Sequence, residues 1–382
     1  MHALFVTPWY APLVSGAGAY LEDVADGLIE QGHRVTVLLG QGARGVTHRR
    51  GLRVIAVHGR VRGSTSLKLL VRAIELHRSE PFDLVVAGGA HPAGTIGVVV
   101  ARVVKRPLQV VAFGEDVSIA QTSRLARKCL PRVFASASSV LAASRFTASE
   151  VVRFGGSIEQ CTVVPPSIDA ERFATTSAAD RDEFRRRRDL KGKRVVLTVA
   201  RLEARKGHDV TLSALATLVQ DFDDIHYVVV GRGDPTTLRS LADRLNMADR
   251  LSVLDDVDDA ELPAAYASAD VFVMVSRSDD RGQVDGFGIV YLEAGACGLP
   301  CVAGNLGGCT DAVVDGETGY CVDPTDVLAV ADAIRSILAS PDHAKELGER
   351  GRRRALTEFG RASFKLRTSG LLERVATAGQ TA

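Results

Sequence analysis

The stretch "KRVVLTVARLEARKGHDVTLSALATLVQDF", Lys193 to Phe222, decides the fold. It opens with a β-branched apolar run, Val195 to Val199. It passes through a charged loop containing Arg201 and Lys206, and then takes up helical spacing from Asp209 onward. Apolar runs that alternate with helical patterns imply a parallel sheet covered on both faces by helices. "HYVVVGRGD", "LSVLDDV", "DVFVMVS" and "LPCVAGN" continue the strands, with "TTLRSLADRLNM", "ELPAAYASA" and "GIVYLEAGACG" as helices between them.

Upstream, the same alternation has already run once. "HALFVTP" reads as a buried strand. "GAYLEDVADGLIEQGH" follows as a helix, with Leu21, Val24, Ala25, Leu28 and Ile29 on one face. "RVTVLLG", "FDLVVAGG", "LQVVAFG" and "SSVLAAS" are further strands. At roughly 100–200 residues per domain, 382 residues make two domains. The expected class is α/β: two tandem Rossmann-like, doubly wound domains facing a cleft. Expected boundaries are 1–168, a connecting segment 169–192, a second domain 193–360 and a last segment 361–382. Pro165-Pro166 breaks regular structure at the join. The four arginines Arg185 to Arg188 read either as a solvated helix or as an anion site.

Composition bounds the function. Forty-seven Lys and Arg against 46 Asp and Glu leave a net charge of +1, which argues against a general nucleic-acid binder. None of the six cysteines forms a CxxC pair, so reduced thiols in a cytoplasmic protein are expected, with a metal site as the sharper alternative. No secretory leader is expected at "MHALFVTPWYAP", and no run reaches the ~18 apolar residues of a membrane span. Membrane contact is expected to be peripheral at most: Arg124, Arg127, Lys128 and Arg132 of "SRLARKCLPRVF" read as a solvated helix face, with contact to an anionic membrane as the alternative.

In open α/β sheets ligands sit beyond the carboxyl ends of the strands. Five loops are placed there. In "PWYAPLVSGAGAY", Gly16 stands at a helix start, where a phosphate can approach the backbone. Arg201 and Lys206 offer a forked and a compact cation to a diphosphate. Gly231 and Arg232 end a strand and line a nucleotide pocket; "LDDVDDAEL" flanks a base or is solvated. In "DGFGIVYLEAGACGLPCVAG", Asp285 to Gly304, a loop of Gly286, Phe287 and Gly288 leads into a helix. The N–H groups of Gly288, Ile289 and Val290 suit a diphosphate. Glu293 suits ribose hydroxyls and Asp285 sugar hydroxyls. Acids beside a phosphate site make sense for a nucleotide sugar.

These residues resemble the retaining glycosyltransferases of family four, which have the GT-B fold. "DGFGIVYLEAGACGLP" resembles the family's acid-x7-Glu motif, "ARLEARKG" its Arg-x4-Lys motif, "VPPSIDAERF" its interdomain segment and "VVGRGD" its nucleotide loop. The likeness runs from about residue 4 to about residue 360 and is nearest to actinobacterial phosphatidylinositol mannosyltransferases, which use GDP-mannose. It implies a GDP-sugar donor, with a UDP-sugar next, a small-molecule or lipid acceptor, and no metal or other cofactor. It implies that Arg201 and Lys206 hold the diphosphate, Gly16 approaches it, Glu293 binds ribose, and Asp285 with the N–H groups of Phe287 and Gly288 holds the sugar. It also implies retention of anomeric configuration, and a final helix at about 361–376 that returns to the first domain. Three positions depart from the pattern. Asp285 replaces a Glu, Ser15-Gly16 replaces Gly-Gly, and Phe113 in "AFGEDV" stands where many members have a sugar-contacting His. Glu115 and Asp116 could partly substitute. A donor altered at or beyond C6, as in antibiotic pathways such as the lincosamide pathway with its thiol acceptor, would account for Phe113. A nucleotide-sugar-binding protein without turnover is the reading from another class.

Overall fold

The computed structural model describes the chain except for residues 11–14, 41–45, 58–61, 281 and 380–382. It divides into two compact units, Met1–Ser167 with Arg361–Ala382, and Ile168–Gly360.

The first unit carries strands β1 (His2–Thr7), β2 (Arg34–Leu39), β3 (Val46–Arg49), β4 (Leu52–Ala56), β5 (Leu84–Gly88), β6 (Leu108–Ala112), β7 (Ser139–Ala142) and β8 (Cys161–Val163). Their order is β3-β4-β2-β1-β5-β6-β7-β8. Every pairing is parallel except β3 with β4, an antiparallel edge hairpin absent from the sequence reading. Alternate residues of β1 serve opposite faces. Leu4 and Val6 join one core with Val85, Val110 and Val140, while Ala3 and Phe5 join the other with Val35, Val86 and Leu141. Both faces are covered, which is why these strands read as continuous apolar runs.

The last helix, Arg361–Ala378, belongs to this unit and lies against helix Gly16–Glu30. Gly27 makes the approach possible: a Cβ there would stand 2.6 Å from the Lys365 carbonyl oxygen. Phe364 meets Tyr20 edge to face at 4.8 Å, and Lys365 pairs with Glu30 at 2.7 Å.

The second unit carries β9 (Arg194–Val199), β10 (Ile225–Val230), β11 (Leu251–Leu254), β12 (Val271–Met274), β13 (Cys301–Gly304) and β14 (Gly319–Val322), all parallel, in the order β11-β10-β9-β12-β13-β14. Val195, Leu197, Val228 and Phe272 pack on one face; Val196, Tyr227, Val229 and Val273 pack on the other. The order reverses between β9 and β12, so the loops after these two strands flank the switch point where ligands bind in such sheets.

Residues 169–192, expected as a connecting segment, pack into this unit. Phe173, Phe184 and Leu190 are buried in its core. The four-arginine run lies on a largely solvated helix, with Arg186 71% and Arg187 40% exposed, and each arginine has an acid partner. Arg185 pairs with Asp270, Arg186 with Glu183, Arg187 with Glu261 and Arg188 with Asp256. Three of these pairs tie helix Ala178–Arg187 and its end to the loops around β11 and β12.

Candidate active site

The loop after β9 is built to turn sharply. A short turn, Ala204–Lys206, ends at Gly207, whose φ of +73° starts helix His208–Leu218. A Cβ at Gly207 would fall 2.3 Å from the Val275 carbonyl oxygen. Only glycine lets the loop lie this close to the end of β12. The buried His208 ring bonds the Arg201 carbonyl oxygen at 3.0 Å and steadies the same loop. Burial pushes the His208 pKa down, which keeps the ring neutral.

This placement brings Lys206 onto Asp285. The Lys206 ammonium donates to both carboxylate oxygens, at 2.8 and 2.7 Å. Arg205 donates to Oδ1 at 2.5 Å and Ser276 to Oδ2 at 2.5 Å. Burial pushes the Asp285 carboxyl up, but Lys206 and Arg205 outweigh it and hold the group below its ordinary value. Arg205 also donates from Nε to Glu203 at 3.0 Å, and Glu203 accepts from Arg201 at 2.6 Å. The loop is therefore a chain of alternating charge: Arg201, Glu203, Arg205, Asp285, Lys206. Its three cations exceed its two carboxylates, a net charge that suits an anion.

Helix Ile289–Ala296 starts beside it, with Gly288 before its first residue. The first-turn N–H groups, including those of Ile289 and Val290, have no partner within the helix. Gly308 donates to the Asp285 carbonyl at 2.9 Å, which fixes the Gly286–Gly288 loop, and Phe287 turns its ring into the core against Phe359 at 5.9 Å. Phe287 is thus placed to act through its backbone alone. Glu293, one turn into the helix, accepts from the buried Tyr266 hydroxyl at 2.7 Å. Burial raises the Glu293 pKa, and the Tyr266 hydrogen bond offsets part of the rise.

Two of the nucleotide-loop residues divide. Gly231 donates its N–H to the Leu254 carbonyl at 2.9 Å, so it closes the loops and has no amide to offer a nucleotide. The Arg232 side chain is exposed.

In the first unit, Ser15 caps helix Gly16–Glu30 by accepting from Gly18 at 3.0 Å. Gly16 is exposed at the helix start; residues 11–14, the middle of the expected loop, lie outside the described residues. Phe113 meets Trp9 at 5.8 Å and Tyr20 at 5.4 Å, both edge to face. Glu115 is exposed. Asp116 corrects the expectation of a sugar ligand. It is buried and accepts from the backbone N–H groups of Ala90 at 2.5 Å and Phe113 at 2.8 Å. It positions Phe113, and each of its carboxylate oxygens already accepts from a backbone N–H. Burial raises its pKa to about 6, against the pull of those N–H groups.

Arg205, Glu203, Ser276 and Tyr266 were not singled out from the sequence. Arg205 lies beside Lys206 in the same loop, and Ser276 follows a strand end, so both carried a positional signal. Tyr266 sits within an ordinary helix and carried none. All six cysteines are free thiols, and among the described residues no cluster of His, Cys, Asp and Glu is placed to hold a metal. Among the described residues no helix is long and apolar enough to cross a membrane.

Residues 15–167 match the glycosyl transferase 4-like domain and residues 180–354 the glycosyl transferases group 1 domain. Over 368 residues the chain is 35% identical to the GDP-mannose-dependent alpha-(1-6)-phosphatidylinositol monomannoside mannosyltransferase of Mycolicibacterium smegmatis, covering 93% of this chain and 94% of that protein. It is 33% identical to the D-inositol 3-phosphate glycosyltransferase of Xylanimonas cellulosilytica over 60% of this chain and 55% of that one. Among solved structures, Anabaena HepE in complex with UDP superposes with a TM-score of 0.83 at 21% identity, over 98% of this chain and 100% of that one. Sucrose-phosphate synthase from Thermosynechococcus elongatus gives 0.83 at 22% identity, over 99% and 100%. At such identities these two likenesses speak for the fold, while the mycobacterial relative speaks for the family. With two parallel-sheet units, the two matched domains and a full-length relative at that identity, the chain belongs to the glycosyltransferases of the GT-B fold and is similar to the actinobacterial phosphatidylinositol mannosyltransferases.

Proposed function

We propose that this glycosyltransferase moves a glycosyl group from a GDP-sugar to a lipid or small-molecule acceptor, with retention at the anomeric carbon and without a metal. The observation that carries the reading is the alternating-charge loop beside the start of helix Ile289–Ala296. Arg201, Lys206 and the helix N–H groups supply the positive charge that a departing diphosphate needs, the part a divalent cation plays elsewhere. GDP is favoured by the relative that names GDP-mannose, and its phosphatidylinositol mannoside acceptor favours a lipid. UDP, bound in the HepE structure, is the runner-up.

In the proposed step the bond from the anomeric carbon to the diphosphate oxygen breaks, and its electron pair leaves with the diphosphate. The oxygen of the acceptor bonds to the same face, and its proton passes to the departing phosphate. Asp285 faces the sugar and Glu293 the ribose. Gly16 is assigned to the diphosphate. Arg124, Lys128 and Arg132 are exposed on helix Arg124–Ser136 beside Leu125, which is 65% exposed, and offer an interfacial contact if the acceptor is a lipid.

The test is calorimetric titration with GDP and UDP in EDTA, followed by transfer from GDP-mannose. Micromolar GDP binding and EDTA-insensitive turnover support the reading. Binding of UDP alone moves the donor to UDP-sugars. Turnover that needs added metal removes the metal-free step.

Phe113 favours a second reading. It closes an aromatic corner with Trp9 and Tyr20 and offers no hydrogen bond to a sugar. A donor altered at or beyond C6, of the kind used in natural-product pathways, suits such a wall. Robust wild-type turnover of GDP-mannose sinks it. A gain with GDP-mannose in Phe113→His supports it.

A further inference from the structure

The Asp285 carboxylate takes four hydrogen bonds from three side chains, and Lys206 gives two of them. Lys206 is also the cation assigned to the donor's diphosphate. The ammonium has three N–H donors and two are taken by Asp285, so it can turn more than one of them to a diphosphate only by leaving at least one carboxylate oxygen. When it turns fully to the phosphate, a buried carboxylate loses one of its three partners and two of its four hydrogen bonds, and a buried charge left uncompensated is costly.

We propose that Arg205 is a positioning residue for the transfer: it holds Asp285 in place as a carboxylate while Lys206 turns to the diphosphate. The inference rests on the nucleotide-sugar reading above. Arg205 is built for a fixed post. Its side chain is 12% exposed, and it bridges Glu203 through Nε and Asp285 through Nη1. A guanidinium keeps its charge at any working pH and presents its donors in a rigid fork. Arg201 is built to move, being 66% exposed and paired with Glu203. A diphosphate with two negative charges draws Arg201 off Glu203 and Lys206 off Asp285. Glu203, Arg205 and Asp285 then remain with one net negative charge. That charge lies on the sugar side, where positive charge develops as the glycosidic bond breaks.

The other groups that face Asp285 stay neutral through the change. Tyr291, from helix Ile289–Ala296, has its phenol raised well above the ordinary value by burial, and burial pushes Cys309, from helix Cys309–Ala312, up to about 12. Ser276 does not titrate. Burial raises the pKa of Asp116 and of Glu293 while Asp285 is held below its ordinary value, so the lowest part of the acid side of kcat reports Asp285 with Arg205 beside it.

Arg205→Met and Arg205→Lys test the proposal through GDP affinity by calorimetry and through kcat between pH 3 and 8, the low end reaching the range where Asp285 titrates. The donor is GDP-mannose, or UDP-glucose with UDP if the wild type prefers it. Arg205→Met is expected to bind the free nucleotide within about threefold of wild type, because Arg201 and Lys206 remain. Its kcat is expected to fall by about a hundredfold, as for loss of one preorganised charge. Its acid limb is expected to move up by about one pH unit, equivalent to one lost charge interaction. Arg205→Lys is expected to restore most of both. If nucleotide affinity falls in step with kcat, or the acid limb stays in place, Arg205 is structural and the proposal is overturned. Should Arg205→Met fail to fold by circular dichroism, Arg205→Gln, which keeps a hydrogen bond without the charge, carries the same comparison. A wild type that binds neither nucleotide and turns over neither donor overturns the donor reading itself; a working wild type with an unmoved acid limb overturns only the role of Arg205.

Discussion

Lys206 Nζ stands 2.7 Å from Asp285 Oδ2, so a diphosphate must compete with a buried carboxylate for it. Lys206→Ala removes the clamp and leaves Asp285 to Arg205 and Ser276. Turnover of the donor is expected to fall by at least about a hundredfold, with a stability loss of about 1–3 kcal/mol, read by initial rates and denaturant melts. Glu293 carries the opposite energetic sign. Burial raises its pKa above the unfolded value of 4.5, so the folded state takes up a proton more readily. Its contribution to stability is greatest below the unfolded pKa and is lost as pH rises through the raised folded value. Glu293→Gln removes that titration and keeps an oxygen for Tyr266. The variant is expected to gain in melting temperature relative to wild type between pH 5 and 8 while losing nucleotide affinity. A constant difference across that range would show that the charge is not what costs stability. The two acids and two of the cations were legible as residues. Their mutual pairing was not, because 79 residues separate Lys206 from Asp285 and no spacing rule relates them.

At the level of elements, helix Gly16–Glu30 sets propensity against packing. Replacing a mid-helix glycine by alanine gains about 1 kcal/mol of helix propensity. At Gly27 the new Cβ would lie 2.6 Å from the Lys365 carbonyl oxygen, and such overpacking costs about 1–3 kcal/mol. Gly27→Ala is therefore expected to lower stability, measured by thermal melting. A rise would mean that helix Arg361–Ala378 shifts freely. The long internal strands were readable because they are buried on both faces. β3, β4, β8 and β14 were not. They lie at or next to the sheet edges, run three to five residues, and carry polar or glycine residues that blur the apolar run. Residues 169–192 misled for a related reason. Arg186 and Arg187 are exposed as the sequence suggests, but only the acids on distant loops turn Arg185, Arg187 and Arg188 into ties.

At the scale of the whole molecule, the chain closes its first unit with its last helix. Phe364 and Leu372 are buried against that unit, and His33 meets Glu373 at 2.7 Å. A chain ending at Gly360 is expected to lose amide protection in β1, β2 and β5 by hydrogen exchange while β9 to β13 keep theirs. Equal loss in both sheets would mean that the two units unfold as one. The alternation of strands and helices, the restart at Lys193 and the cations and acids at strand ends were all set by the sequence. Periodicity and strand-end position are local properties that each segment carries by itself. Which acid meets which cation, that Asp116 holds backbone where a sugar ligand was expected, that Gly231 spends its N–H on Leu254, and that Arg205 stands between Glu203 and Asp285 were decided by the tertiary structure alone. Charges and hydrogen bonds act over a few ångströms, and only the packed fold brings residues so far apart in the chain to that range.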